Sequence, residues 1–324
     1  MASQVSWEMK TTKFLVLSLA SLWALTLLEL PQVRGQRSMQ LGMAPDSFDD
    51  QYIGCTEEME AEIAPRLLAE ENTRHPLLGS MWGNLSAVWE IRKESLSLPQ
   101  GFRDEHGTAI LVYTDSSQPL YAELNKAVRE AGVSRDNYMS NFHFKALHYY
   151  LTRALQLLRS DCSQMSKINL FRGIRSIRFE PSGEGVFRFG QFTSSSLDPA
   201  LAQSYGNATF FTLRTCFGAQ IEAFSAFPSE REVLIPGSEV FNVSSFAREG
   251  NRNIFILRSA NRTCSYYHCA YLGGEKAQQC VDNTVAARSN RVSSNMGPVL
   301  FGAIVLINVA TPKLFADFKL TSIM

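Results

Sequence analysis

Apolar positions recur at three- and four-residue steps through the first half of the chain and at two-residue steps through the second. The change falls near Ile168. In "FHFKALHYYLTRALQLLRS", Leu147, Tyr150, Leu151, Ala154, Leu155 and Leu158 mark one face of a helix. "DDQYIGCTEEMEAEIAPRLLAEE" and "LYAELNKAVREAGV" read as two more amphipathic helices, the latter stopping at Gly132. Beyond Ile168 come the short runs "INLFRGI", "GVFRFGQFTS", "ATFFTLRTC", "AQIEAFS", "EREVLIP", "EVFNV" and "NIFILRS", separated by Gly, Pro and Ser. These are strand signals. "SLDPALAQSYGN" interrupts them with an Asp-Pro start and a Gly stop, which predicts a short helix. Helices followed by strands, without βαβ alternation, predict an α+β fold in which a helical N-terminal half packs on a β core.

The ends carry a different pattern. Lys10 and Lys13 precede the apolar run Phe14–Leu30, and small residues follow near Gly35, so residues 1–35 are expected to be a secretory signal peptide. A signal anchor is the competing reading. Residues 36–283 are expected to form one catalytic domain, and 284–324 a polar spacer with an apolar tail. That tail resembles a GPI attachment signal, yet it ends through Lys313, Asp317 and Lys319, so plain secretion and GPI anchoring both stay open. Sequons at Asn84, Asn207, Asn242 and Asn261 support an extracellular glycoprotein. Cys55, Cys162, Cys216, Cys264, Cys269 and Cys280 form an even set of the kind an oxidising compartment pairs, in any of fifteen ways.

Charge excludes more than it suggests. The 31 basic and 31 acidic side chains cancel, which leaves no bulk case for nucleic acid or an acidic membrane surface. The only membrane attachment expected is through a lipid anchor. The Cys264–Cys269 gap does not suit a zinc knuckle, and the histidines do not cluster, so no metal is expected. His143 and His148, five apart on the helix described above, read as packing or surface residues.

Three stretches put polar groups where buried strands do not want them. Arg172 lies inside "NLFRGI" and must be paired, by Glu180 or by an anionic ligand, and Gly173 beside it would let a ligand approach the backbone. In "FGQFTSSSL", Phe192 precedes Ser194, Ser195 and Ser196, which either cap the following helix or hydrogen-bond a sugar. In "FPSEREVLIP", a strand extended back through Glu230 would put Glu230 and Glu232 on one face with Arg231 pointing away. Two such carboxylates suit a solvated strand end, or a site that meets cations. A glycosidase pair has similar spacing but needs neither the arginine strand nor the serines.

The order arginine, aromatic-x-Ser-x-Ser, Glu-x-Glu resembles the R-S-E signature of the arginine-specific mono-ADP-ribosyltransferases. From about Leu41 to Val281 the chain is similar to the vertebrate ecto-enzymes of that family, and to their secreted type most of all. "SFDDQYIGC", "GFRDEHGTAILVYT", "FKALHYYLTRALQLL", "GQFTSSSLD", "FPSEREVLIP" and "CSYYHCAYLGGEK" carry the likeness. The resemblance implies a mainly antiparallel β core and NAD as co-substrate. It implies Arg172 and Gly173 on the NAD phosphates and ribose, Phe192 beside the nicotinamide, and Ser194 and Ser196 at the ribose. Glu232 would be the catalytic glutamate, and Glu230 the position linked to arginine as acceptor. Phe171 stands where many relatives have tyrosine. Disulfides Cys55–Cys269 and Cys162–Cys216 follow from the family pattern, which leaves Cys264–Cys280. The activity implied is transfer of ADP-ribose from NAD to arginines of extracellular or cell-surface proteins. An NAD glycohydrolase and a catalytically inert surface protein are the alternatives.

Overall fold

The computed structural model describes residues 37–183 and 185–282. The expected signal peptide and C-terminal tail lie outside the described residues.

The helical half is present with more helices than periodicity revealed, but the first predicted helix begins only at Thr56, since residues 49–55 are not helical and Asp49 and Asp50 are buried. After a π-helical segment at Met59–Ile63 come α1 (Ala64–Arg74), α2 (Pro76–Lys93), α3 (Asp104–Thr114), α4 (Leu120–Ala131), α5 (Arg135–Asn141) and α6 (Lys145–Leu158). Helix α3 gave no periodic signal because every residue from His106 to Thr114 is buried, so no polar stripe marks an outer face. Helix α6 starts two residues after His143, which is exposed and lies outside the helix rather than on it. Its N-terminus is held by Glu71, whose carboxylate accepts the backbone N–H groups of Lys145 (2.6 Å) and Ala146 (3.0 Å). His148 is buried and bonded to the Tyr52 hydroxyl at 2.8 Å, and burial pushes its pKa down to about 3. It is a neutral packing residue.

The strand half contains β1 (Arg37–Gln40), β2 (Leu170–Ile174), β3 (Ile177–Glu180), β4 (Val186–Phe187), β5 (Thr193–Ser196), β6 (Thr209–Arg214), β7 (Ala219–Gln220), β8 (Glu232–Ile235), β9 (Glu239–Glu249), β10 (Arg252–Ser265) and β11 (Gln279–Asp282). A short β1–β3 pair is parallel. The main sheet runs β4-β9-β10-β6-β2-β5-β8-β7, with β11 also on β10. Its pairs are antiparallel except β10–β6. The short helix predicted in "SLDPALAQSYGN" is α7 (Pro199–Ser204). Asp198 caps it, accepting from the N–H groups of Ala200 and Leu201, so the neighbouring serines are not the caps.

Two corrections follow in the strands. "AQIEAFS" is a strand only at Ala219–Gln220; Phe224 and Ser225 both donate their N–H to the Ile221 carbonyl, which turns the chain. Strand β8 begins at Glu232, because Pro228–Glu230 form a 3₁₀ turn and Arg231 adopts a left-handed φ of 48°. Glu230 therefore does not share a strand face with Glu232.

Alternation in β8 divides two cores. Leu234 packs into the helical core with Tyr113, Trp89 and Tyr150, while Val233 and Ile235 pack with Phe211, Phe241 and Leu257 on the other side. Glu232 has the parity of Leu234 and so faces the helices. Disulfides Cys55–Cys269, Cys162–Cys216 and Cys264–Cys280 are all formed. The first two join the helical half to the strand half. A buried Arg188–Asp49 ion pair adds a further tie: Arg188 also donates to the carbonyls of Met43, Ala44 and Cys264, while Asp49 accepts from Tyr266 and Tyr267 N–H. Among the described residues, no helix is long and apolar enough to cross a membrane.

Candidate active site

Strands β2 and β5 pair only at Phe171–Ser196. Around this narrow junction lies a cavity of about 310 Å³, walled by the sheet, α7 and the helical layer. Arg172, Gly173, Ser194, Ser196, Glu230 and Glu232 all line it.

The cross-strand register explains the grouping. Ser194 sits opposite Leu234 and Ser196 opposite Glu232, and opposed residues in a ladder project to the same side. Arg172 donates from Nη1 to the Ser194 carbonyl at 2.6 Å, so its pairing is with backbone rather than with Glu180, which instead bonds Arg248. A guanidinium has five N–H donors, and this contact uses one. Burial pulls the Arg172 pKa below its ordinary value, but an arginine so placed stays charged.

Gly173 has a different local reason from the one its position suggests. A Cβ there would lie 2.1 Å from the Ala202 carbonyl oxygen and 2.6 Å from that of Gly206. The glycine lets α7 press against β2. Ser196 is likewise committed to backbone: its hydroxyl accepts from Asp198 N–H (2.9 Å) and donates to the Glu230 carbonyl (2.8 Å). It fixes the turn that carries Glu230.

Glu232 is 5% exposed, and burial raises its pKa to about 7. The Glu230 charge pushes in the same direction, while hydrogen bonds from Ser194 and Ser225 and the Arg172 charge oppose it. Glu71 and Glu239 are raised to about 7 as well, so the elevation alone does not single out a reactive group. Their oxygens are spent on α6 and on the N–H of Cys216 with the Thr215 hydroxyl. Of these three, Glu232 is the one whose side chain lines the cavity. Glu230 stands nearer solvent and accepts a 2.5 Å hydrogen bond from the Tyr205 hydroxyl.

Phe192 does not join the group. Its ring is buried against Tyr113 and His148 in the helical core, and its carbonyl accepts from Tyr113 Oη and Asn125 Nδ2. The aromatic walls are instead Tyr113, Tyr121, Phe171 and Tyr205. Sequence did not single out Tyr113, Tyr121 or Asn125: Tyr113 lies in α3, which gave no periodic signal, and the exposed Tyr121 and the polar Asn125 sit on α4 with no motif around them. Among the described residues, no group of three or more His, Cys, Asp or Glu side chains is arranged to hold a metal ion.

Known proteins share this sequence and fold. The NAD:arginine ADP-ribosyltransferase family model matches residues 41–265. Mouse (Mus musculus) ecto-ADP-ribosyltransferase 5 is 50% identical over 296 residues, covering 90% of this chain and 93% of its own. The Homo sapiens ecto-ADP-ribosyltransferase 5 is 56% identical over 247 residues, covering 75% and 84%. The crystal structure of the eukaryotic mono-ADP-ribosyltransferase ART2.2 superposes with a TM-score of 0.62 at 41% identity, over 72% of this chain and 99% of that one. Variants of ART2.2 have been solved in complex with NAD and with NADH. By family model, sequence and fold, this chain belongs to the NAD:arginine ADP-ribosyltransferase family.

Proposed function

We propose that the chain is an extracellular or cell-surface enzyme that transfers ADP-ribose from NAD to arginine side chains, releasing nicotinamide. The observation that carries the reading is the convergence of Arg172, Ser194, Glu230 and Glu232 on one cavity, in a chain of this family. We assign residues 36–283 to the catalytic domain, 1–35 to a signal peptide, and 284–324 to a polar spacer and apolar tail that ends in either GPI attachment or plain secretion.

Arg172 binds the NAD pyrophosphate and ribose through the N–H groups not used on Ser194. Ser194 orders the nicotinamide ribose and Glu232 beside it. The bond from ribose C1′ to the nicotinamide nitrogen breaks with its electron pair leaving on nicotinamide, so positive charge develops on the sugar. The Glu232 carboxylate stabilises that charge most in the transition state, which is the condition for catalysis. An incoming guanidinium is a permanent cation and a poor nucleophile. Glu230 holds it and takes up its proton as nitrogen bonds to C1′. One carboxylate thus meets a transient cation and the other a lasting one.

Glu230 and Glu232 do not alternate along one strand, and the split of roles is easier for it. Glu232 sits on the buried strand, where low dielectric strengthens its effect, and Glu230 sits on the turn where a protein acceptor arrives. Water in place of the acceptor would give NAD hydrolysis, so the two glutamates separate the outcomes. Glu232→Ala is expected to abolish nicotinamide release. Glu230→Gln is expected to remove ADP-ribosyl-agmatine formation while hydrolysis continues. Equal loss of both products in Glu230→Gln would overturn the assignment.

A further inference from the structure

Tyr205 lies at the C-terminal end of α7, half-exposed on the cavity wall, and its hydroxyl donates to Glu230 Oε1 at 2.5 Å. We propose that Tyr205 is a positioning residue for the acceptor: it fixes the Glu230 carboxylate in the orientation that receives a guanidinium. The inference rests on the acceptor role given to Glu230 above.

The local geometry makes Tyr205 a rigid arm. Gly206 follows it at φ 146°, where a Cβ would meet the backbone of Arg175 at 2.3 Å, so the chain turns hard against the end of β2. Ala208 N–H then bonds the Ile174 carbonyl at 2.9 Å. The other end of α7 is held by Asp198, whose own N–H is bonded to the Ser196 hydroxyl. That same hydroxyl grips the Glu230 backbone. The segment from Ser196 to Tyr205 thus holds Glu230 twice, by its carbonyl and by its carboxylate, and α7 itself rests on β2 beside Arg172 through Gly173.

Glu230 needs the second hold. It sits on a 3₁₀ turn followed by the left-handed Arg231, outside the β8 ladder, so no regular strand fixes its side chain. A carboxylate has about four lone-pair sites. Tyr205 takes one on Oε1, which leaves both oxygens able to receive the two parallel N–H groups of a guanidinium. Freezing the carboxylate in advance removes an ordering cost from acceptor binding. Burial and the adjoining Glu230 both raise the Tyr205 pKa above that of a free phenol, so it remains the donor throughout the working range.

The test compares Tyr205→Phe with the unaltered protein using NAD and agmatine, with adduct and free nicotinamide quantified separately. The ring stays and only the hydroxyl is lost. The agmatine KM is expected to rise about tenfold, the size of effect a charge-assisted hydrogen bond supports, and the ratio of transfer to hydrolysis to fall in step. The NAD KM should move by less than about twofold, since Arg172 and Glu232 are untouched. Adding Tyr205→Phe to Glu230→Gln should leave the remaining NAD hydrolysis unchanged, because the hydroxyl acts on the acceptor through that carboxylate and not on NAD. An unchanged agmatine KM, a fall in hydrolysis equal to that in transfer, or a further loss of hydrolysis when Tyr205→Phe is added to Glu230→Gln would each overturn the proposal. If Glu230→Gln cuts transfer and Tyr205→Phe does not, this inference fails while the role of Glu230 stands. If Glu230→Gln leaves transfer intact, both fail.

Discussion

The titration of Glu232 links the fold to the chemistry in a form that can be measured. Burial raises its pKa from 4.5 to about 7, and only the ionised form can stabilise a positive sugar. The pH profile of kcat/KM for nicotinamide release should therefore rise between about pH 6 and 8, since that parameter reports the free enzyme. Two substitutions should move the midpoint in opposite directions. Ser194→Ala removes a hydrogen bond that favours the carboxylate. A bond to a charged group is worth about 1.5–3 kcal/mol, and one pKa unit is about 1.36 kcal/mol, so the shift should be upward by about one unit or more. Glu230→Gln removes a like charge, so the midpoint should fall, by less than about one unit because Glu230 is partly solvated.

The same residue makes a stability prediction. A carboxyl whose folded pKa is raised contributes no penalty below 4.5, where both states are protonated. Between 4.5 and about 7 the unfolded chain loses a proton that the folded one keeps, so folding weakens with rising pH. The full penalty is at most about 3 kcal/mol above pH 7. Glu232→Gln should thus abolish NAD cleavage yet raise the unfolding free energy at pH 8, with little change at pH 4. Urea titration at the two pH values checks this. A flat rate profile between pH 5.5 and 8, or a downward shift in Ser194→Ala, would refute the reasoning.

Other substitutions test the frame around the site. Gly173→Ala puts a Cβ 2.1 Å from the Ala202 carbonyl and must displace α7 or β2; the NAD KM should rise at least about tenfold with circular dichroism unchanged. Arg188→Met strands the buried Asp49 carboxylate and should cost about 3–5 kcal/mol in urea unfolding, part of which a second change, Asp49→Leu, restores.

Much of this was legible in the chain. The switch of period near Ile168 located the boundary between helices and strands, and Arg172, the serines and the two glutamates do line one cavity. What escaped the sequence has identifiable causes. Arg231 adopts φ 48° without a glycine to announce it, so nothing in the sequence stops the strand short of Glu230. Phe192 precedes β5, and the direction of its ring was decided by space between Tyr113 and His148. Gly173 lines the cavity, and what a Cβ there would strike is the Ala202 carbonyl, 29 positions along the chain, which no local pattern shows. Tyr113 reaches the cavity from α3, which showed no periodicity because its residues from His106 on are all buried, and Asn125 is a buried polar residue of α4 with no motif to mark it. Periodicity reports which face is buried, and it is silent on where two buried faces part to leave a site.

The most direct test of the whole account mixes the mature protein with NAD and agmatine and measures ADP-ribosyl-agmatine and free nicotinamide, with Glu232→Ala as the blank. The account predicts adduct rising one for one with nicotinamide, and neither product in the blank. Nicotinamide without adduct would make the chain a hydrolase, and unchanged release by Glu232→Ala would contradict the assignment of the site itself.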